Sequence, residues 1–122
     1  MTEYLIAFND EWVPDLTLDE LRERSAACRA MIAEMTAAGV FIYSHGLASD
    51  QPVFSVDASS GEPVFTDGPY VETEQHLGGL LIADVPDEAS ARYWAGRVAV
   101  ACGWPQEVRA FQERGRFAEP GA

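Results

Sequence analysis

Residues 67–79 read Asp67-Gly68-Pro69-Tyr70-Val71-Glu72-Thr73-Glu74-Gln75-His76-Leu77-Gly78-Gly79, and the organisation of the chain unfolds outward from them. Proline fixes its own φ and restricts the residue before it, so Gly68-Pro69 predicts a backbone that extends and then turns. Asp67 carries the short acceptor side chain of an Asx turn. Gly78-Gly79 leave room for another chain or a ligand to approach the strand that follows. That strand is Leu80-Leu81-Ile82-Ala83-Asp84-Val85, apolar enough to be buried. Upstream, Val53–Asp57 and Pro63–Thr66 are short strand-like pieces joined by Ala58-Ser59-Ser60-Gly61, a hairpin signal. The segment therefore links a small ribbon to a core strand.

The flanking sequence reads as two strand–helix–strand units. Tyr4–Phe8 is a short apolar run ended by Asn9-Asp10, and after the acidic connection holding Trp12 and Pro14, Thr17 with Glu20 makes a capping box. Leu18, Leu21, Ser25, Cys28, Ile32 and Met35 then recur at helical spacing as far as Gly39, with Arg22, Glu23, Arg24 and Arg29 off the stripe and expected in solvent. Val40–His45, β-branched and aromatic, is the next strand. On the other side of the ribbon, Pro86-Asp87-Glu88 starts a second helix that runs to about Cys102, with an apolar side expected from Tyr93, Trp94, Val98 and Ala101. Gly103-Trp104-Pro105 stops it, and Glu107–Phe111 alternates as a last strand. The order is βαβ, ribbon, βαβ: one α+β domain over residues 1–111, ferredoxin-like, with residues 112–122 expected to be a flexible tail. Leu5 and Ala7 alternate with Tyr4, Ile6 and Phe8, so both faces of the sheet are apolar, and with helices on one face only a second copy is the expected cover of the other.

Composition excludes several classes. A chain of 122 residues has room for one domain and buries roughly two thirds of its unfolded surface. With 48% hydrophobic residues it is a folding sequence, not a disordered one. Twenty acidic residues against eight basic ones give a formal charge of -12, which repels phosphate backbones and anionic lipid, so neither nucleic acid nor membrane is expected as a partner. All eight basic residues are arginine, and a chain without lysine has no Schiff-base nucleophile and no P-loop lysine. Cys28 and Cys102 show no CxxC spacing and are expected as reduced, partly buried thiols. The short N-terminal apolar run lacks a basic flank, and a cytoplasmic location is the expectation.

Chemistry concentrates in the loop. Asp67, Tyr70, Glu72 and His76 lie within it, and His45 ends a strand expected beside it. A carboxylate and an imidazole together can move protons near neutral pH, the carboxylate setting the tautomer. The candidate catalytic residues are Asp67, His45 and His76; the candidate ligand-binding residues are Tyr70, Glu72, Gly78 and Gly79. No HxH, HExxH or EF-hand spacing calls for a metal, no glycine-rich phosphate loop or GxSxG is present, and no cofactor is expected. Two readings follow: a small-molecule-binding protein with a pocket between the sheet, the first helix and the 67–79 loop, or an enzyme of lyase or isomerase type using a His/Asp pair on a small acid.

Asp67-Gly68-Pro69-Tyr70 through Leu77-Gly78-Gly79 resembles the signature of the DGPF branch of the YCII-related family, usually of the form DGPFAETKEQLGG. The similarity extends from Tyr4-Leu5-Ile6 through Ala38-Gly39-Val40 and Gly46-Leu47 to Trp94-Ala95 and Glu107-Val108-Arg109. The resemblance implies a dimeric ferredoxin-like α/β barrel and, because DGPF domains also occur joined to extracytoplasmic-function sigma factors, a regulatory link to sigma-factor signalling. Glu74, Gln75 and His76 stand where the family usually has lysine, glutamate and glutamine, and His45 stands where an acidic residue is common. Enzymes of the wider group are associated with a His-Asp pair whose histidine lies near the first helix; no histidine precedes His45 here.

Overall fold

The capping box works as read. In the computed structural model, which describes residues 1–117, the Thr17 side chain accepts from the Glu20 N–H while the Glu20 carboxylate accepts from the Thr17 N–H. They start helix α1 (Leu18–Ala37), which follows strand β1 (Thr2–Asn9) and a single 3-10 turn (Asp10–Trp12). Next come β2 (Phe41–Gly46), the short strands β3 (Phe54–Asp57) and β4 (Val64–Asp67), β5 (Leu77–Val85), α2 (Glu88–Cys102) and β6 (Glu107–Ala110). The Asp87 carboxylate caps α2 by accepting from the Ser90 N–H. Phe111 donates its N–H to the Glu3 carbonyl, and Arg114 reaches the Glu3 carboxylate at 3.2 Å. Residues 118–122 of the expected tail lie outside the described residues.

Four strands form one sheet in the order β2-β5-β1-β6, while β3 and β4 pair only with each other. β1 and β2 both run antiparallel to β5, and β5 and β6 both run antiparallel to β1. Each helix therefore joins two parallel strands that enclose a strand of the other unit, as a long crossover requires. This is the ferredoxin-like α+β arrangement, with the β3–β4 ribbon inserted between its halves. β5 differs from its expected extent: it begins at Leu77, so Gly78 and Gly79 lie inside the strand and are buried.

Pleating sorts the side chains. The cross-strand row Ser44–Leu81–Ile6–Val108 faces the helices, and the neighbouring row Tyr43–Ile82–Leu5–Arg109 faces away. Ile6, Leu81, Ala83 and Val85 pack with Met31 and Met35 of α1 and with Ala91, Ala95 and Val98 of α2, and no polar or charged residue is buried as a whole among the described residues, although Asp84, Trp104 and Gln106 each bury a polar side-chain atom.

Both helices present most of the stripe expected of them, with additions. In α1 Cys28, Ile32 and Met35 pack against the core, joined by Met31, and Leu21 and Ser25 border the space beside them, while Leu18 at the start remains 62% exposed. In α2 the buried line is Ala91-Ala95-Val98-Cys102, spaced by four, three and four; Tyr93 is 57% exposed and stacks edge-on against Trp94. Trp94 and Ala101 pack inward as expected, so of the four residues expected on that side Tyr93 alone faces out. Met35→Ala should lower the unfolding free energy by about 2–5 kcal/mol, against about 0.5 kcal/mol or less for Leu18→Ala, both read from urea denaturation with unchanged slope.

Candidate functional site

The 67–79 loop separates into two parts that do different work. Asp67 ends β4 on the ribbon, exposed, and makes no side-chain hydrogen bond among the described residues. The turn after it is held instead by the Gly68 N–H donating to Val53 O at 2.7 Å and the Ser55 hydroxyl donating to Gly68 O at 2.6 Å. The Asx turn expected at Asp67 occurs at the ribbon's other end, where Asp57 accepts from the Ser59 N–H at 2.9 Å. Tyr70 lies exposed against the ribbon, in a depression shared with Val56 and Thr66.

The second part docks onto the end of β1. Because Asn9 pairs with Leu77 in the β1–β5 register, residues just after β1 meet residues just before β5. Glu11 accepts from the His76 backbone N–H at 2.7 Å through one carboxylate oxygen and meets the His76 ring Nδ1 at 2.9 Å through the other. The Asp10 N–H donates to His76 O, and the Asn9 amide donates to the Gln75 side-chain oxygen. The carboxylate partner of His76 is thus Glu11, not Asp67. Read alone, Glu11 is one acid in an acidic connection; only the strand register marks it. The hydrogen bond to Glu11, aided by its charge, raises the His76 pKa, and the hydrogen bonds from His76 lower that of Glu11.

Gly78 and Gly79 leave room for the chain itself. A Cβ on Gly78 would lie 2.5 Å from the Asp10 carboxylate, and one on Gly79 would lie 2.7 Å from the Phe8 ring. The space that invited a ligand or another chain in the sequence is filled by Phe8 of β1 and by Asp10 in the turn after it.

A cavity of about 330 Å³ lies between the sheet and the two helices. Ile6, Phe8 and Leu81 supply its floor; Leu21, Arg24, Cys28 and Met31 supply one wall; and Val98, Cys102 and Trp104 supply the other. Phe8 and Trp104 meet edge to face, with centroids 5.4 Å apart. His45 borders the cavity at the sheet edge, its Nδ1 2.9 Å from Gly46 O. Asp67, Tyr70, Glu72 and His76 do not border it, so the structure does not bring the five polar candidates to one place. Two larger grooves, of about 470 and 540 Å³, flank α2 but hold no histidine or cysteine.

Arg24, expected in solvent, turns onto the C-terminus of α2 and donates to Cys102 O at 3.3 Å, where a cation complements the helix dipole. Gly103 makes the approach possible. Its φ of +86° closes the helix, and a side chain there would strike the Arg24 guanidinium. Beside it the Cys28 and Cys102 sulfurs lie 3.1 Å apart. The Cys102 S–H and, less strongly, Arg24 bring the Cys28 thiol down to about 7 against the opposing effect of burial, while Cys28 and burial push Cys102 up. Trp104 Nε1 and Gln106 Nε2, both on residues bordering the cavity, are buried without a partner.

The sign of the Glu11–His76 coupling gives a pH prediction. A raised imidazole pKa contributes stability that is complete below the unfolded value near 6.5 and is lost as pH rises through the folded value. A lowered carboxylate pKa contributes stability that is complete above 4.5 and is lost as pH falls through the folded value. The difference in thermal midpoint between wild type and Glu11→Gln should therefore be greatest between these limits. An NMR titration should place the His76 midpoint above 6.5 in the wild type and nearer to it in Glu11→Gln.

No helix among the described residues is long and apolar enough to cross a membrane. A search of curated proteins gave no match. A family model described as the YCII-related domain matches residues 4–114, from Tyr4 within β1 to Arg114 beyond β6, and so spans both interlocked units, the ribbon and the cavity. The chain belongs to the YCII-related domain family.

Proposed function

We propose that this protein, a member of the DGPF branch of its family, binds a small, largely apolar molecule carrying an acidic group in the cavity between the sheet and the helices. One observation carries the reading. In a chain of formal charge -12, no carboxylate among the described residues borders this cavity, and Arg24 brings a guanidinium to a lining that is otherwise aliphatic, aromatic, thiol or uncharged apart from His45. A concave, largely apolar space with a few polar groups is the usual form of a small-molecule site, and about 330 Å³ suits a ligand at the small end of that range. The unpartnered Trp104 and Gln106 donors add to it: a buried donor left unpaired costs about 1–3 kcal/mol, and a small side-chain rotation toward a ligand oxygen would remove that cost.

Benzoate, hexanoate and uncharged benzamide test the reading. Either acid should quench or shift Trp104 fluorescence on binding, benzamide should bind less, and Arg24→Gln should weaken the acids roughly tenfold or more, as loss of a charged hydrogen bond predicts. Asp67→Asn, distant from the cavity, should leave binding unchanged. Equal affinity for acid and amide would count against it.

A second reading, a lyase or isomerase acting on such an acid, is favoured by His45. Its Nδ1 is engaged with a backbone carbonyl, which leaves Nε2 as the acceptor nitrogen of a residue that borders the cavity. Exchange of a bound acid's α-protons with D₂O that is lost in His45→Ala would support it.

The assembly we infer is a homodimer. The row Tyr43–Ile82–Leu5 lies on the face away from the helices, and the ribbon exposes Phe54 and Phe65 at 67% and 66%. Exposed apolar surface of this kind marks an interface. Ile82→Glu should leave the far-UV spectrum intact and halve the mass measured by light scattering; an unchanged mass would rule this face out.

A further inference from the structure

We propose that Cys28 and Cys102 are a peroxide-reactive dithiol in the cavity wall, Cys28 the sulfur attacked by oxidant and Cys102 the thiol that resolves it into an intramolecular disulfide. The sulfurs lie 3.1 Å apart, one on each helix, and need to approach by only about 1 Å to reach the length of a disulfide bond. Their exposure differs in the way the two roles require: both border the cavity, but Cys28 is partly exposed and open to a small oxidant, while Cys102 is buried. Arg24 stands beside both, and a cation together with the neighbouring S–H favours the thiolate, the nucleophilic form, at Cys28. No other cysteine competes.

The chemistry balances with a hydroperoxide as oxidant. The Cys28 thiolate attacks the terminal peroxide oxygen, the O–O bond breaks, and Cys28 becomes a sulfenic acid as hydroxide or alkoxide leaves and takes up a proton. Cys102 sulfur then attacks the Cys28 sulfur, giving up its proton as the S–O bond breaks; the S–S bond forms and water leaves. Two electrons pass from the dithiol to the peroxide. This reaction stands independently of the ligand reading, although a disulfide so formed would lie in the same wall.

Stoichiometric hydrogen peroxide, followed by N-ethylmaleimide under denaturing conditions and intact-mass measurement, tests the proposal. The untreated chain should take two maleimides; the treated chain should take none, weigh two hydrogens less and remain free of interchain links. Cys102→Ser should trap a sulfenic acid at Cys28 that dimedone labels, and Cys28→Ser should keep a free thiol at Cys102. Disulfide formation should be faster in the native protein than in the urea-unfolded chain, where the cysteines are only 74 positions apart in a flexible coil. Retention of both thiols, separate over-oxidised cysteines, interchain disulfides or an equal rate in the unfolded chain would each overturn it.

Discussion

The packing of the Phe8 ring on Gly79 is the contact on which the rest of the structure depends. A Cβ at Gly79 would meet Phe8 ring carbons at 2.7 Å and the Gly46 backbone at 3.3 Å, so only glycine lets β1, β5 and β2 come together with that ring between them. Phe8 then serves as cavity floor and as the edge-to-face partner of Trp104. The adjoining Gly78 admits Asp10, and the same close approach sets Asp10 and Glu11 against His76. The glycine pair thus supports the cavity without entering it, a structural duty placed in the middle of a segment that looks chemical.

Charge is distributed with a similar economy. Most acidic residues among those described lie on the outer surface and in the connections, with Asp84 on β5 burying one carboxylate oxygen, while the cavity between the sheet and the two helices is bordered by none of them. In a site partly withdrawn from water an arginine interacts more strongly than on the surface. Arg24 does two things there: it neutralises the C-terminal carbonyl end of α2, and it lends positive potential to the two thiols. Elsewhere, Arg97 joins the helices by pairing with Glu34 while lying over the Tyr93 and Trp94 rings, and being exposed it contributes little beyond orientation.

Order and type of the elements were legible because their signals are local: a capping box at Thr17–Glu20, an Asp cap at Asp87, a glycine stop at Gly103 and alternating or continuous apolar runs. The inner faces of the helices were less so. Helical spacing placed Cys28, Ile32, Met35, Trp94, Val98 and Ala101 inward, where they pack, but also Leu18 and Tyr93, which stay exposed, and it passed over Met31, Ala91 and Ala95, whose burial depends on how the helices lie on the sheet.

By itself the sequence determined the βαβ-ribbon-βαβ order, the helix ends and the family signature, since each rests on neighbouring residues and the conformations they permit. Tertiary structure alone decided which distant groups meet. Glu11 finds His76 through the register of two antiparallel strands, Cys28 finds Cys102 through the crossing of two helices, and Arg24 finds the end of α2 because Gly103 has no side chain. Asp67, at the head of the segment from which the reading began, stays on the ribbon and away from the cavity, because β4 pairs only with β3. Such meetings are set by packing across the whole sheet, which no local pattern records.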